Sequence, residues 1–187
     1  FVNGDEHLRR RPFASPTRGA LNLGRGAFTI EFWLKVASGA SAEGVVFEVG
    51  SGPRGENDVV TRLTFDPVTS EFRLFNQPSG VTARLSTDRA KLMREWTHCA
   101  VVYDASRAEV RHYLDGRLKA TVAAKLAPLP EGKEDYVSLG RDAVWGRPLA
   151  ATLDEVRISD EARYRDPFPV PGSFSRRYSA PPAPIVL

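Results

Sequence analysis

Apolar and polar side chains alternate strictly through Phe28–Val36: Phe28, Ile30, Phe32, Leu34 and Val36 face one way, and Thr29, Glu31, Trp33 and Lys35 the other. A period of two predicts a strand with one face on a core. Val45–Val49 is a second, shorter apolar run. Val59–Phe65 and Phe72–Phe75 flank the turn-rich Asp66-Pro67-Val68-Thr69-Ser70 and read as a hairpin. Trp96–Tyr103 is rich in β-branched and aromatic residues. Val110–Leu114 and Leu118–Val122 flank Asp115-Gly116, a pair suited to a type I′ turn because both central residues there take positive φ. Tyr136–Leu139 and Leu153–Ile158 complete the predicted strands. Helical patterning is thin: Ser86–Trp96 has room for one or two turns, and Ser159–Tyr164 for a short turn capped by Ser159. Many short strands without βαβ alternation predict an all-β, antiparallel β-sandwich.

The composition changes after Arg165. Asp166-Pro167-Phe168-Pro169-Val170-Pro171-Gly172 opens a segment that ends Ala180-Pro181-Pro182-Ala183-Pro184-Ile185-Val186-Leu187. Proline fixes φ and removes amide donors, so residues 166–187 form an irregular proline-rich segment outside the sheets. It reads as a strap over the sandwich or a linker to a neighbour, and Phe168, Phe174 and Tyr178 favour a strap for its first half. Residues 1–165 form the domain. The sequence opens at Phe1, not Met, which fits a processed chain or a piece of a longer one, with any signal peptide already gone.

With 187 residues the chain can bury a full core without disulfide or metal. Its net charge of +3 is too small and too dispersed for a nucleic-acid field, and its apolar runs are too short to span a bilayer. Cys99 is alone and lies in an apolar run, which predicts a buried inert thiol. His7, His98 and His112 lack metal-ligand spacing, and His98 and His112 read as hydrogen-bonded structural histidines. No nucleophile elbow, Walker loop or dinucleotide fingerprint occurs. The chain also lacks a strand that places two carboxylates on one face: Glu31 is alone on its strand, and Asp154 and Glu155 are adjacent and so point apart.

Four stretches resemble the laminin G-like jelly-roll family of the concanavalin A-like lectin/glucanase fold. They are Phe1-Val2-Asn3-Gly4-Asp5-Glu6-His7-Leu8, Phe28-Thr29-Ile30-Glu31-Phe32-Trp33-Leu34-Lys35, Trp96–Asp104 with Tyr113-Leu114-Asp115-Gly116, and Thr152-Leu153-Asp154-Glu155-Val156-Arg157-Ile158-Ser159. They occur in the family order, from Phe1 to about Tyr164. The resemblance implies a jelly roll whose first and last strands meet, which would bring Asn3 and Asp5 to Asp154. Their hard oxygens suit a calcium ion on the rim. The same residues equally serve as turn caps accepting backbone amides. Trp33 and Trp96 lie within strands of the family pattern and are expected in the core.

The resemblance further implies a non-catalytic binding module of a larger secreted bacterial protein, extracellular or periplasmic. Its ligand would be a carbohydrate or glycoprotein surface, held by rim loops with calcium as a candidate cofactor. Sugars are gripped by aromatic faces and planar hydrogen-bonding groups. Trp33, Tyr113 and Arg62 are suitable types, and the expected ligand-binding set is Trp145, Arg141, Arg73 and Asn76. Trp145 leads it because it stands in a polar loop with no strand pattern. The alternative is a structural domain that contacts neighbouring domains or other proteins and binds no sugar.

Overall fold

The computed structural model describes residues 23–51, 59–129, 135–141 and 147–170. The strands are β1 (Phe28–Val36), β2 (Gly44–Ser51), β3 (Val59–Asp66), β4 (Glu71–Asn76), β5 (Val81–Ser86), β6 (Thr97–Asp104), β7 (Glu109–Leu114), β8 (Arg117–Ala123), β9 (Asp135–Leu139) and β10 (Ala151–Ser159). The α-helix α1 (Arg89–Arg94) links β5 to β6, and a 3-10 turn, Gln77–Ser79, links β4 to β5. Among the described residues the strands form two five-stranded sheets, β10-β1-β6-β7-β8 and β5-β4-β3-β2-β9, with antiparallel pairing throughout. The fold is an all-β jelly-roll sandwich, and no described helix is long and apolar enough to cross a membrane.

The core forms where the inward sets of the two sheets meet. Phe28, Ile30, Phe32 and Leu34 of β1 are buried against Leu63, Phe65, Phe72 and Leu74 of β3 and β4. Phe72 stands at its centre, 5.2 Å from Phe65, 6.1 Å from Phe32 and 5.0 Å from His112 between ring centroids. Truncating such a ring to Ala costs about 3–5 kcal/mol through lost transfer energy and the cavity left behind. Cys99 is buried, and desolvation pushes its thiol well above its ordinary value.

Several expectations need correction. Trp96 is 43% exposed: Asp88 caps α1 at its start, Glu95 ends it, and Trp96 falls in the link before β6 begins at Thr97. Trp33 is half-buried, on the outward face of β1, and packs edge-on against His98. The strand β5 has no counterpart in the reading of the sequence, although Val81, Ala83 and Leu85 alternate with exposed Thr82, Arg84 and Ser86. Ser159 caps no helix; it ends β10, and residues 160–170 run on as irregular backbone.

That irregular stretch closes the outer face of the first sheet. Its residues cross β1 and β6 and reach the β7–β8 turn. The Thr29 hydroxyl donates to the Glu161 carbonyl and accepts from the Arg163 amide, at 2.7 and 3.1 Å. Tyr164 and Phe168 stack at 3.5 Å and 8° over Tyr113, Ala100 and Val102. Phe168 donates its amide to Gly116 O at 3.0 Å. The Asp115-Gly116 turn has φ of 45° and 71°, the pair of positive values a type I′ turn needs. Residues 171–187 lie outside the described residues.

Candidate functional site

Two groups of polar side chains stand out, one on each outer face. The first is centred on Glu31, which is fully buried under residues 160–170. Its carboxylate accepts from Arg157 Nε at 2.6 Å and from the Tyr164 hydroxyl at 2.8 Å. His98 Nε2 lies 3.4 Å away and Arg163 Nε 3.5 Å. Burial alone would raise the Glu31 carboxyl, but the hydrogen bonds from His98, Arg157 and Tyr164 and the charge of Arg157 more than reverse this and hold it below its ordinary value. The arrangement ties β10 and the crossing segment to the sheet, with both carboxylate oxygens occupied.

The second group lies on the outer face of the other sheet. Cross-strand partners share a face, so register builds this surface directly. Thr82, Phe75, Arg62 and Glu48 form one row across β5, β4, β3 and β2; Arg84, Arg73 and Thr64 form the next; Ser86, Glu71 and Asp66 the third. The β4–β5 half is open: Thr82, Arg84 and Ser86 are exposed and Phe75 is half-buried.

Arg73 is the centre of an ion network. Its Nη1 meets Glu43 at 2.8 Å, its Nη2 meets Asp66 at 2.6 Å and Thr69 Oγ1 at 3.1 Å, and its Nε meets Glu71 at 3.4 Å. Glu71 also meets Arg84 at 3.3 Å, and Arg62 pairs through Nε with the buried Glu48. Burial pushes the Asp66 carboxyl up, but the Val68 and Thr69 amides, the Thr69 hydroxyl and Arg73 together bring it below its ordinary value. Desolvation works against the Arg73 charge too, and Glu43, Asp66 and Glu71 more than compensate.

The expected ligand residues separate. Arg73 lies on this face with its donors engaged. Asn76 lies at the far end of β4 and faces inward: its Nδ2 donates to Thr61 Oγ1 and Ala127 O, both at 2.9 Å, and its Oδ1 accepts the Ala127 amide at 2.9 Å. Buried in this way, Asn76 stitches the β3–β4 end to the 124–129 segment. Arg141 is half-buried just beyond β9, where its carbonyl accepts the Ser138 hydroxyl at 2.6 Å. Trp145, Asn3 and Asp5 lie outside the described residues. Asp154 is exposed at a bulge opposite Trp33, where Glu155 has φ 50°, and its Oδ1 accepts the Glu155 amide at 2.8 Å. Among the described residues no group of three or more His, Cys, Asp or Glu side chains could hold a metal ion.

Phe75 and Arg84 were absent from the expected set. The pattern of Phe72–Phe75 gives Phe75 a strand but no outward direction, and the direction of Arg84 follows from β5, which the pattern does not announce.

A family model for laminin G-like domains of the concanavalin A-like lectin/glucanases superfamily matches residues 13–166, and the chain belongs to that family. No curated protein matches the sequence. Among solved structures, the CBM40 of a Ruminococcus gnavus IT-sialidase bound to alpha2,6 sialyllactose is similar at 17% identity, 73% of this chain, 78% of that one and a TM-score of 0.58. A putative carbohydrate binding protein from Bacteroides ovatus is similar at 19% identity over 80% of this chain and 40% of its own length, with a TM-score of 0.54. The SAP-like pentraxin of Limulus polyphemus follows at 14% identity, 73% and 66% coverage and a TM-score of 0.51. At these identities the likeness is one of fold, and the neighbours include carbohydrate-binding modules.

Proposed function

We propose that the chain is a non-catalytic carbohydrate-binding module of a larger secreted protein, and that it takes its ligand on the open outer face of β3, β4 and β5. The observation that carries this reading is the asymmetry of the sandwich. Residues 160–170 close one outer face, whereas the other presents Phe75 between Arg62 and Thr82, with Arg84 61% exposed beside them. An aromatic ring flanked by polar side chains offers a sugar an apolar stacking surface beside hydrogen-bond partners. The sialyllactose-bound structures of similar fold support the reading. Arg141, just beyond β9, would extend the site from that edge.

A glycan array followed by calorimetry on the hits tests it. Binding that falls at least tenfold in both Phe75→Ala and Arg84→Ala, at unchanged far-UV spectrum, supports the reading. Silence across the array would move the function to a protein-interaction domain. That alternative has its own observation, the exposed Trp96 at 43% and Leu118 at 46%. The rim calcium on Asn3, Asp5 and Asp154 rests on the oxygen chemistry of those side chains. Calcium at about a hundred times its Kd adds about 2.7 kcal/mol, so Tm should rise by roughly 5–11 °C over the value in EDTA, and Asp154→Ala should abolish the rise. An unchanged Tm would leave Asp154 as the acceptor of the Glu155 amide and nothing more.

A further inference from the structure

We infer that the β3–β5 face takes an uncharged sugar unit and disfavours an acidic one; this rests on the reading of that face as the glycan site. An anion site needs guanidinium donors that are unspent and point to open solvent. Among the described residues Arg62 and Arg73 are turned onto Glu43, Glu48, Asp66 and Glu71, and Arg84, which keeps open donors, holds them beside the Glu71 carboxylate. Arg73 sits between three of these carboxylates and is only 18% exposed. An incoming carboxylate would have to displace Asp66, which the Val68 and Thr69 amides also hold at 2.8 and 3.3 Å. At Arg84, the exposed guanidinium of the set, it would arrive beside Glu71. Local charge is therefore balanced toward the negative side, and like charges at close range disfavour a second anion.

The same groups suit neutral hydroxyls. Glu71 is an acceptor fixed in place by Arg73 and Arg84, and a vicinal diol can donate to such an oxygen. Among the described residues Arg84 makes one ion-pair contact, which leaves N–H groups for ring or hydroxyl oxygens. Phe75 offers the apolar surface on which the C–H face of a pyranose can lie, with the exposed Thr82 hydroxyl next to it. The acid-bearing glycan of the similar Ruminococcus gnavus module would thus be the weaker ligand here.

The test uses the full chain and an array on which each neutral oligosaccharide is paired with its sialylated or uronate-bearing counterpart, with lactose and sialyllactose titrated by calorimetry. The expected result is neutral binding at least tenfold tighter than its acidic partner, a near-flat dependence on salt, and loss in Phe75→Ala. Glu71→Gln should narrow the neutral-to-acidic ratio several-fold, because it removes the repelling charge and keeps the side-chain shape. Preferential binding of the acidic members, lost in Arg84→Ala, would overturn the inference and leave the module reading standing. Neutral binding indifferent to both Phe75→Ala and Arg84→Ala would place the site elsewhere and overturn it as well. An array with no binder of either kind would overturn the module reading, and the inference would fall with it.

Discussion

His112 is buried between the sheets with its ring 5.0 Å from that of Phe72. Its Nδ1 lies 3.4 Å from Ala100 O and its Nε2 3.2 Å from Thr87 Oγ1. A neutral ring with the proton on Nδ1 satisfies both: it donates to the carbonyl and accepts from the hydroxyl. Burial pushes its pKa from 6.5 down to about 4, with the Ala100 hydrogen bond opposing and Lys119 assisting. In that window the unfolded chain binds a proton that the folded chain does not, so stability falls as pH drops from 6.5 to 4. At 1.36 kcal/mol per pH unit the loss reaches about 3 kcal/mol. Urea unfolding at pH 7.5, 6, 5 and 4 should show this decline, and His112→Gln should flatten it. Glu31 acts in a separate range. Its carboxyl is held below the ordinary 4.5, so its contribution is present above that pH and is lost only as acid carries the solution through its folded value. An equally steep decline between pH 6.5 and 5 in His112→Gln would assign the slope to other groups.

At the scale of elements, what could be read from the chain depended on how far each signal was local. β1 is legible because nine residues alternate without a break, and the β7–β8 turn because Asp-Gly alone carries the required backbone. β5 is not, since its inward set, Val81, Ala83 and Leu85, includes a small residue and runs straight into the Asp88 cap of α1. Arg73 was legible as a planar hydrogen-bonding group, but the engagement of its donors was not. Glu43 and Asp66 reach it through folding and register, which no local window contains. The crossing segment depends on the turn that it meets. A Cβ on Gly116 would sit 1.9 Å from Phe168 O, at φ +71°. Gly80 has nearly the same φ, +67°, with nothing within 4 Å of such a Cβ. Gly80→Ala should therefore cost only the left-handed backbone penalty, about 1–2 kcal/mol. Gly116→Ala should cost at least about 1 kcal/mol more, for loss of the Phe168 amide bond and part of the Tyr164–Phe168 packing. Denaturant midpoints measure the difference, and hydrogen exchange should show the Phe168 amide unprotected in Gly116→Ala alone. Equal losses at the two glycines would mean that the segment gains nothing from the turn.

For the molecule as a whole, the sandwich carries two outer surfaces with the core between them. Tyr164 and Phe168 cover Tyr113 and Ala100 on one outer face; Phe75, Arg84 and the Arg73 network occupy the other. Between them lie two backbone layers and one side-chain layer, a separation of about 10 Å between packed sheets. Side chains that far apart with no shared partner make additive contributions, within about 0.5 kcal/mol. Phe168→Ala removes a half-buried ring stacked on Tyr164 and should cost about 1–2 kcal/mol. Phe75→Ala removes a half-buried ring from an open face and should cost less, at or below about 1 kcal/mol. The double variant should lose the sum of the two in urea unfolding. Of these two substitutions only Phe75→Ala should weaken glycan binding: Phe168→Ala should bind with the wild-type Kd, because the face that it disturbs is the one residues 160–170 already close. A shifted Kd in Phe168→Ala, or a double variant departing from the sum by more than about 1 kcal/mol, would mean that the core transmits strain from one face to the other. Phe72 would then be the residue to probe next, since its ring touches Phe32 of one sheet, Phe65 of the other, and His112.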